Sequence, residues 1–188
     1  MVILASCIGL SGAAPQTPSD ESADIDLLIN ARMQLRDGKV DLAQESTQDF
    51  LRKHPASAQA HFLLGFILFR KAQAKAAVGL TQEQAKASLA EYTEGAKYRN
   101  PSSLDLKIVA LDYVLLESFE DADKWLSRSL AWNPKDPEAW YYMGRIKYSE
   151  NKLPEAVQAF EQCLRLDPQY TKAEAGRKQA VAAESAAH

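Results

Sequence analysis

The chain has 188 residues, enough for one ordinary domain or one short array of repeats. It is 46% apolar and 25% charged, the balance of a folded soluble protein. A net charge of −3 argues against a nucleic-acid binder, which would carry a concentrated basic face.

The chain opens on an apolar run, Val2 to Leu10, followed by the small residues Ser11 to Ala14 and then polar Pro15 to Glu21. Residues 1–14 read as a signal-peptide-like segment, truncated because no basic residue precedes the apolar run, and 15–22 read as a linker. The run is too short to span a bilayer as a helix. Leu4-Ala5-Ser6-Cys7 offers a second reading, a lipoprotein box with Cys7 as the lipidated residue. The apolar Ile8-Gly9-Leu10 behind it counts against lipidation. The expectation is export to a periplasm or an envelope membrane, with membrane contact only through this segment. The alternative is a frayed tail on a cytoplasmic protein.

Pro55, Pro101, Pro134 and Pro168 punctuate the rest, and proline ends helices because it lacks an N–H. Between them the pattern predicts helix pairs at 24–36 and 39–53, 57–72 and 82–98, 103–116 and 119–131, and 137–149 and 153–165. Asp37-Gly38 breaks the first pair, with glycine supplying a left-handed cap. A further helix over about 170–186 has one wet and one lean face, as a cap on an array should.

The last pair carries Trp140-x-x-Met143-Gly144, then Ala156-x-x-x-Phe160, then Pro168. The skeleton recurs 34 residues earlier as Leu106-x-x-Val109-Ala110, Ala122-x-x-x-Leu126 and Pro134. A fixed period of this length marks a helix–turn–helix repeat. These residues resemble the tetratricopeptide-repeat family, closely at 137–170 and more weakly toward the N-terminus. The resemblance implies an all-α superhelical solenoid of about four helix pairs plus a capping helix. The array spans 24–170, as 24–57, 58–102, 103–136 and 137–170, with 171–188 as the cap. The second repeat departs from the period, because Pro101 arrives 12 residues late. The surplus is expected between Ala72 and Gln82, as a long connection or as lengthened helices. Gly65, Ala110, Gly144 and Ala31 should be the small residues where helices meet, with Ala43, Ala122 and Ala156 opposite. Trp140 should fill a large space, so Trp140→Ala should cost roughly 3–5 kcal/mol.

No catalytic constellation stands out, so the chain is expected not to be an enzyme and to need no cofactor or metal. His54, His61 and His188 lack metal-ligand spacing, and His61 and Cys163 fall at core positions. In the resembled family the concave face is built from the first helix of each pair. Carried over, that face is Leu28, Arg32, Leu35 and Arg36, then Phe62, Phe66, Phe69 and Arg70, then Lys107, Leu111 and Val114, then Tyr141, Arg145 and Tyr148. Phe62, Phe66 and Phe69 form one stripe on a helix that is apolar nearly all round. Either a bound peptide or neighbouring helices must cover it. Five cations punctuate the face, which suits a partner segment with apolar anchors and acidic groups. Lys107 resembles half of the carboxylate clamp known in this family, but the inward asparagines of that clamp are missing. The function implied is a non-catalytic scaffold that binds a peptide or helix of a partner protein. Alternatives are an envelope assembly lipoprotein anchored through Cys7 and a self-associating structural repeat.

Overall fold

The structure, a computed structural model, describes residues 18–74 and 78–186. The signal-like segment 1–14 with Cys7, and His188, lie outside the described residues. Among the described residues there are nine helices and no strand. They run α1 (Pro18–Arg36), α2 (Val40–Lys53), α3 (Ala58–Ala74), α4 (Val78–Ala96), α5 (Ser103–Leu115), α6 (Phe119–Trp132), α7 (Pro137–Ser149), α8 (Leu153–Leu166) and α9 (Thr171–Ala186). The all-α solenoid of four pairs plus a ninth helix is what the repeat pattern predicts. Helix α1 begins at Pro18, inside the stretch read as linker. Proline is tolerated there because the first helical N–H has no partner anyway.

Local chemistry fixes the helix ends. Ser102 caps α5 through a reciprocal box: its Oγ accepts from the Asp105 N–H at 3.2 Å, and Asp105 accepts from the Ser102 N–H at 2.8 Å. Asp136 caps α7 by accepting from the Ala139 N–H at 3.1 Å. Three of the turns inside pairs share one geometry. Gly38, Glu117 and Asn151 are left-handed, at φ of 77°, 59° and 60°. In each turn the next N–H reaches back five residues: Lys39 to the Gln34 carbonyl, Ser118 to Tyr113, and Lys152 to Lys147, at 2.8–2.9 Å.

Within each pair the small residues let two helices touch. Ala31, Ala43, Ala110, Ala122 and Ala156 are completely buried. A Cβ on Gly144 would lie 2.6 Å from the Phe160 ring, and one on Gly65 would lie 2.9 Å from the Tyr92 ring. The match of Gly65–Tyr92 to Gly144–Phe160 places Ser88, four residues before Tyr92, where other repeats carry alanine. Twelve positions separate Gly144 from Ala156, but twenty-three separate Gly65 from Ser88. The surplus is therefore helical. Helices α3 and α4 have 17 and 19 residues, against 13 and 14 for α5 and α6. Helix α4 accordingly starts at Val78 rather than at 82.

Between pairs, the first helices α3, α5, α7 and α9 pack in succession. Successive second helices stay farther apart, each touching the first helix of the next pair. That asymmetry curves the array and puts the first helices on its inner face.

Candidate partner-binding surface

The inner-face residues expected from the sequence divide into two sets. In the first repeat Leu28 is buried against Phe50 and Ala60, and Leu35 is half-buried. Arg32 and Arg36 are exposed, the latter 3.3 Å from Asp37. In the second repeat Phe62 and Phe69 are core residues, at 5% and 3% exposure. They pack with Tyr92 of α4 and Ile108, Val109 and Leu111 of α5, while Phe66 sits at the rim of the same cluster. Tyr92 stacks on Phe62 at 5.8 Å, and the Arg99 guanidinium lies 5.3 Å over the same ring. Gly95 makes this possible, since a Cβ there would meet the Phe62 ring at 2.6 Å. Phe62 and Phe69 are thus covered by the protein's own helices, Phe66 is half-buried, and Arg70 beside them is exposed.

In the third repeat Leu111 is buried and Val114 is half-buried. Lys107 is buried too. Its ammonium donates to Asp136 at 2.8 Å and to Glu138 at 2.7 Å, tying α5 to the start of α7. Burial alone would lower the ammonium's pKa, but these two bonds and charges outweigh it and hold it above its ordinary value. Lys107 is therefore a strut between repeats, with its charge already matched.

The fourth repeat presents an open site. Tyr141, Arg145 and Tyr148 of α7 face Lys172, Gly176 and Gln179 of α9 across a groove of about 340 Å³ floored by Phe160. Tyr141 packs against Tyr142 and Tyr170, each at 5.2 Å between ring centres. The Arg145 guanidinium lies 5.9 Å from the Tyr141 ring and 5.8 Å from Tyr142. Among the described residues, neither Arg145 nor Lys172 has a carboxylate partner, whereas Lys147 on the opposite side of α7 is paired with Asp123 at 2.9 Å. The inner face expected from the sequence includes no residue of this last helix, so Lys172 and Gln179 stand outside it. Their spacing with Ala175 and Gly176 marks one stripe of α9, and that stripe is the missed half of the groove.

A larger hollow of about 590 Å³ lies on the outer face, where α6 and α8 diverge over Trp140 and Met143 of α7. Its lining balances the cations Lys147 and Arg165 with the carboxylates Asp123 and Glu155, both within 3.5 Å of the Lys147 ammonium, so it offers less unmatched charge than the inner groove.

The alternating close contacts and the left-handed turns are the geometry of a helix–turn–helix repeat array. Profiles of the Tetratricopeptide repeat family match residues 30–99 and 137–170. The chain is a tetratricopeptide-repeat protein. Solved structures of similar shape include MamA, at 17% identity and TM-score 0.71, covering 88% of this chain and 84% of that one. They also include YrrB, a TPR protein with an unusual peptide-binding site, at 18% identity and TM-score 0.72, covering 89% and 80%. A thermophilic TPR protein of Thermus thermophilus matches at 18% identity and TM-score 0.67, covering 87% and 84%. At these identities the likeness establishes the fold alone. No curated protein matches the chain. Tetratricopeptide repeats in general mediate binding to protein partners and are in general non-catalytic. Among the described residues no three His, Cys, Asp or Glu gather as a metal site, and no helix is long and apolar enough to cross a membrane.

Proposed function

We propose that this tetratricopeptide-repeat protein is a non-catalytic scaffold that captures an acidic peptide or helix of a partner protein between α7 and α9. The observation that carries the reading is the pair Arg145 and Lys172, unmatched by carboxylates, at the edge of a tyrosine-lined groove. Tyrosines offer broad contact at low entropic cost, and guanidinium groups accept carboxylates in a forked geometry. A protein of the same fold, YrrB, has a peptide-binding site. The apolar Val2–Leu10 run supports export of the chain, with the scaffold acting in a periplasm or at an envelope membrane.

The test is fluorescence anisotropy with synthetic peptides carrying one aromatic anchor among acidic residues, beside basic controls. Acidic peptides should bind preferentially and weaken with salt. The double variant R145E/K172E should lose on the order of tenfold or more in affinity with unchanged helical circular dichroism. Equal binding of acidic and basic peptides, or an unaffected double variant, would refute the reading.

A further inference from the structure

Two polar residues stand where the repeat pattern calls for apolar ones. Two places after the small residue of the first helix, the second and fourth repeats carry fully buried isoleucines, Ile67 after Gly65 and Ile146 after Gly144. The third repeat carries Asp112 there, after Ala110. On the second helices, Ala43, Ala122 and Ala156 have Ser88 as their counterpart. Asp112 and Ser88 are both completely buried, and they meet. The Ser88 Oγ lies 2.6 Å from Asp112 Oδ2 and 2.9 Å from the Gly65 carbonyl oxygen.

A hydroxyl has one proton to donate. Were Asp112 a carboxylate, both neighbours of the Ser88 oxygen would be acceptors, and one proton would have to serve two. The second oxygen, Oδ1, would also be a buried anionic atom with no hydrogen-bond partner. With a proton on Oδ2 the chain closes: Asp112 donates to Ser88, and Ser88 donates to the Gly65 carbonyl. Burial favours this form and pushes the Asp112 carboxyl up to about 8, while the Ser88 bond pulls the other way.

The surroundings leave the acid uncompensated. From α4 the titratable neighbour is Tyr92, itself buried and held far above the ordinary phenol range by burial and by Asp105 and Asp112. From α3 comes the Gly65 carbonyl. Among the described residues no cation on α3, α4, α6 or α7 bonds to Asp112.

We propose that Ser88 and Asp112 form a proton lock on the joint between the second and third repeats, closed by the neutral acid and loosened when its proton leaves. The three groups belong to α3, α4 and α5, so the lock holds one half of the solenoid against the other. Opening the joint exposes Asp112, which then ionises with the ordinary carboxyl value of 3.8. Between that value and about 8, each pH unit raises the opening constant about tenfold. Above about 8 the closed form has lost the proton too, and the slope ends.

The experiment is amide hydrogen exchange on the full chain from roughly pH 6 to 8, corrected for intrinsic exchange. The wild type should show about a tenfold rise in opening per pH unit in α3, α4 and α5. D112N keeps a donor toward Ser88 but cannot ionise, so its profile should be flat. Identical slopes in the two proteins would overturn the proposal. If D112N fails to fold, the carbon-13 resonance of the Asp112 carboxyl in the wild type decides alone. A titration midpoint near 8 supports the lock, and one in the ordinary carboxylate range removes it.

Discussion

Phe160 is held between two backbones. A Cβ on Gly144 of α7 and one on Gly176 of α9 would each come within 2.6 Å of its ring. The ring is 2% exposed, so Phe160→Ala should cost about 3–5 kcal/mol in urea unfolding. Gly144→Ala should cost roughly 1–3 kcal/mol, because the ring has no room to give. Trp140 is different. It is half-buried against the outer hollow, with its indole N–H donating to the Pro134 carbonyl at 2.9 Å. The full-cavity figure expected for Trp140→Ala therefore belongs to Phe160, and Trp140→Ala should cost clearly less. Equal losses for the two variants would contradict this ranking. Cys163 offers a second check at this scale. Burial, with a smaller contribution from Asp167, pushes its thiol up to about 11. Thiol reagents at neutral pH should label it only as fast as the protein unfolds.

At the scale of helices and turns, the repeated left-handed residue gives a direct test. Gly38 and Asn151 suit a positive φ, whereas Glu117 does not. Glu117→Asn should raise the melting temperature, corresponding to about 0.5–1 kcal/mol, and a drop would show that the Glu117 side chain has a contact of its own. The third and fourth pairs were legible because their period is regular and their caps are explicit, as in Ser102-x-x-Asp105 and Asp136-Pro137. The second pair was blurred for a physical reason. Its surplus residues keep helical spacing, so no break marks the true start of α4 at Val78. Serine at the alanine position then hid the register that would have revealed it. The inner face was harder still. Periodicity places Phe62 and Lys107 on the face that the family uses, but whether a neighbour covers them depends on Tyr92, Gly95, Asp136 and Glu138. Those contacts lie about 30 residues away along the chain, beyond what a local pattern encodes.

Across the whole molecule, helix contacts join elements adjacent or next-but-one in the chain. Stability in such an array is a sum over neighbouring interfaces. The α9 helix supplies one wall of the α7–α9 groove and one of the two glycines against Phe160. A chain ending at Gln169 should therefore lose peptide capture, melt earlier and bind a hydrophobic dye. An unchanged melt without dye binding would mean that the ring is shielded by α7 and α8 alone. The same grip has a consequence in time. Synthesis delivers α7 and α8 before α9, and folding can follow repeat by repeat. Until α9 emerges, the tip of the Phe160 ring that Gly176 covers has no backbone against it. The nascent chain thus passes through an interval in which its binding groove does not yet exist and an aromatic edge is bare. Docking of α9 ends both conditions at once, so the scaffold gains its capacity to bind at the moment it stops being a hazard to itself.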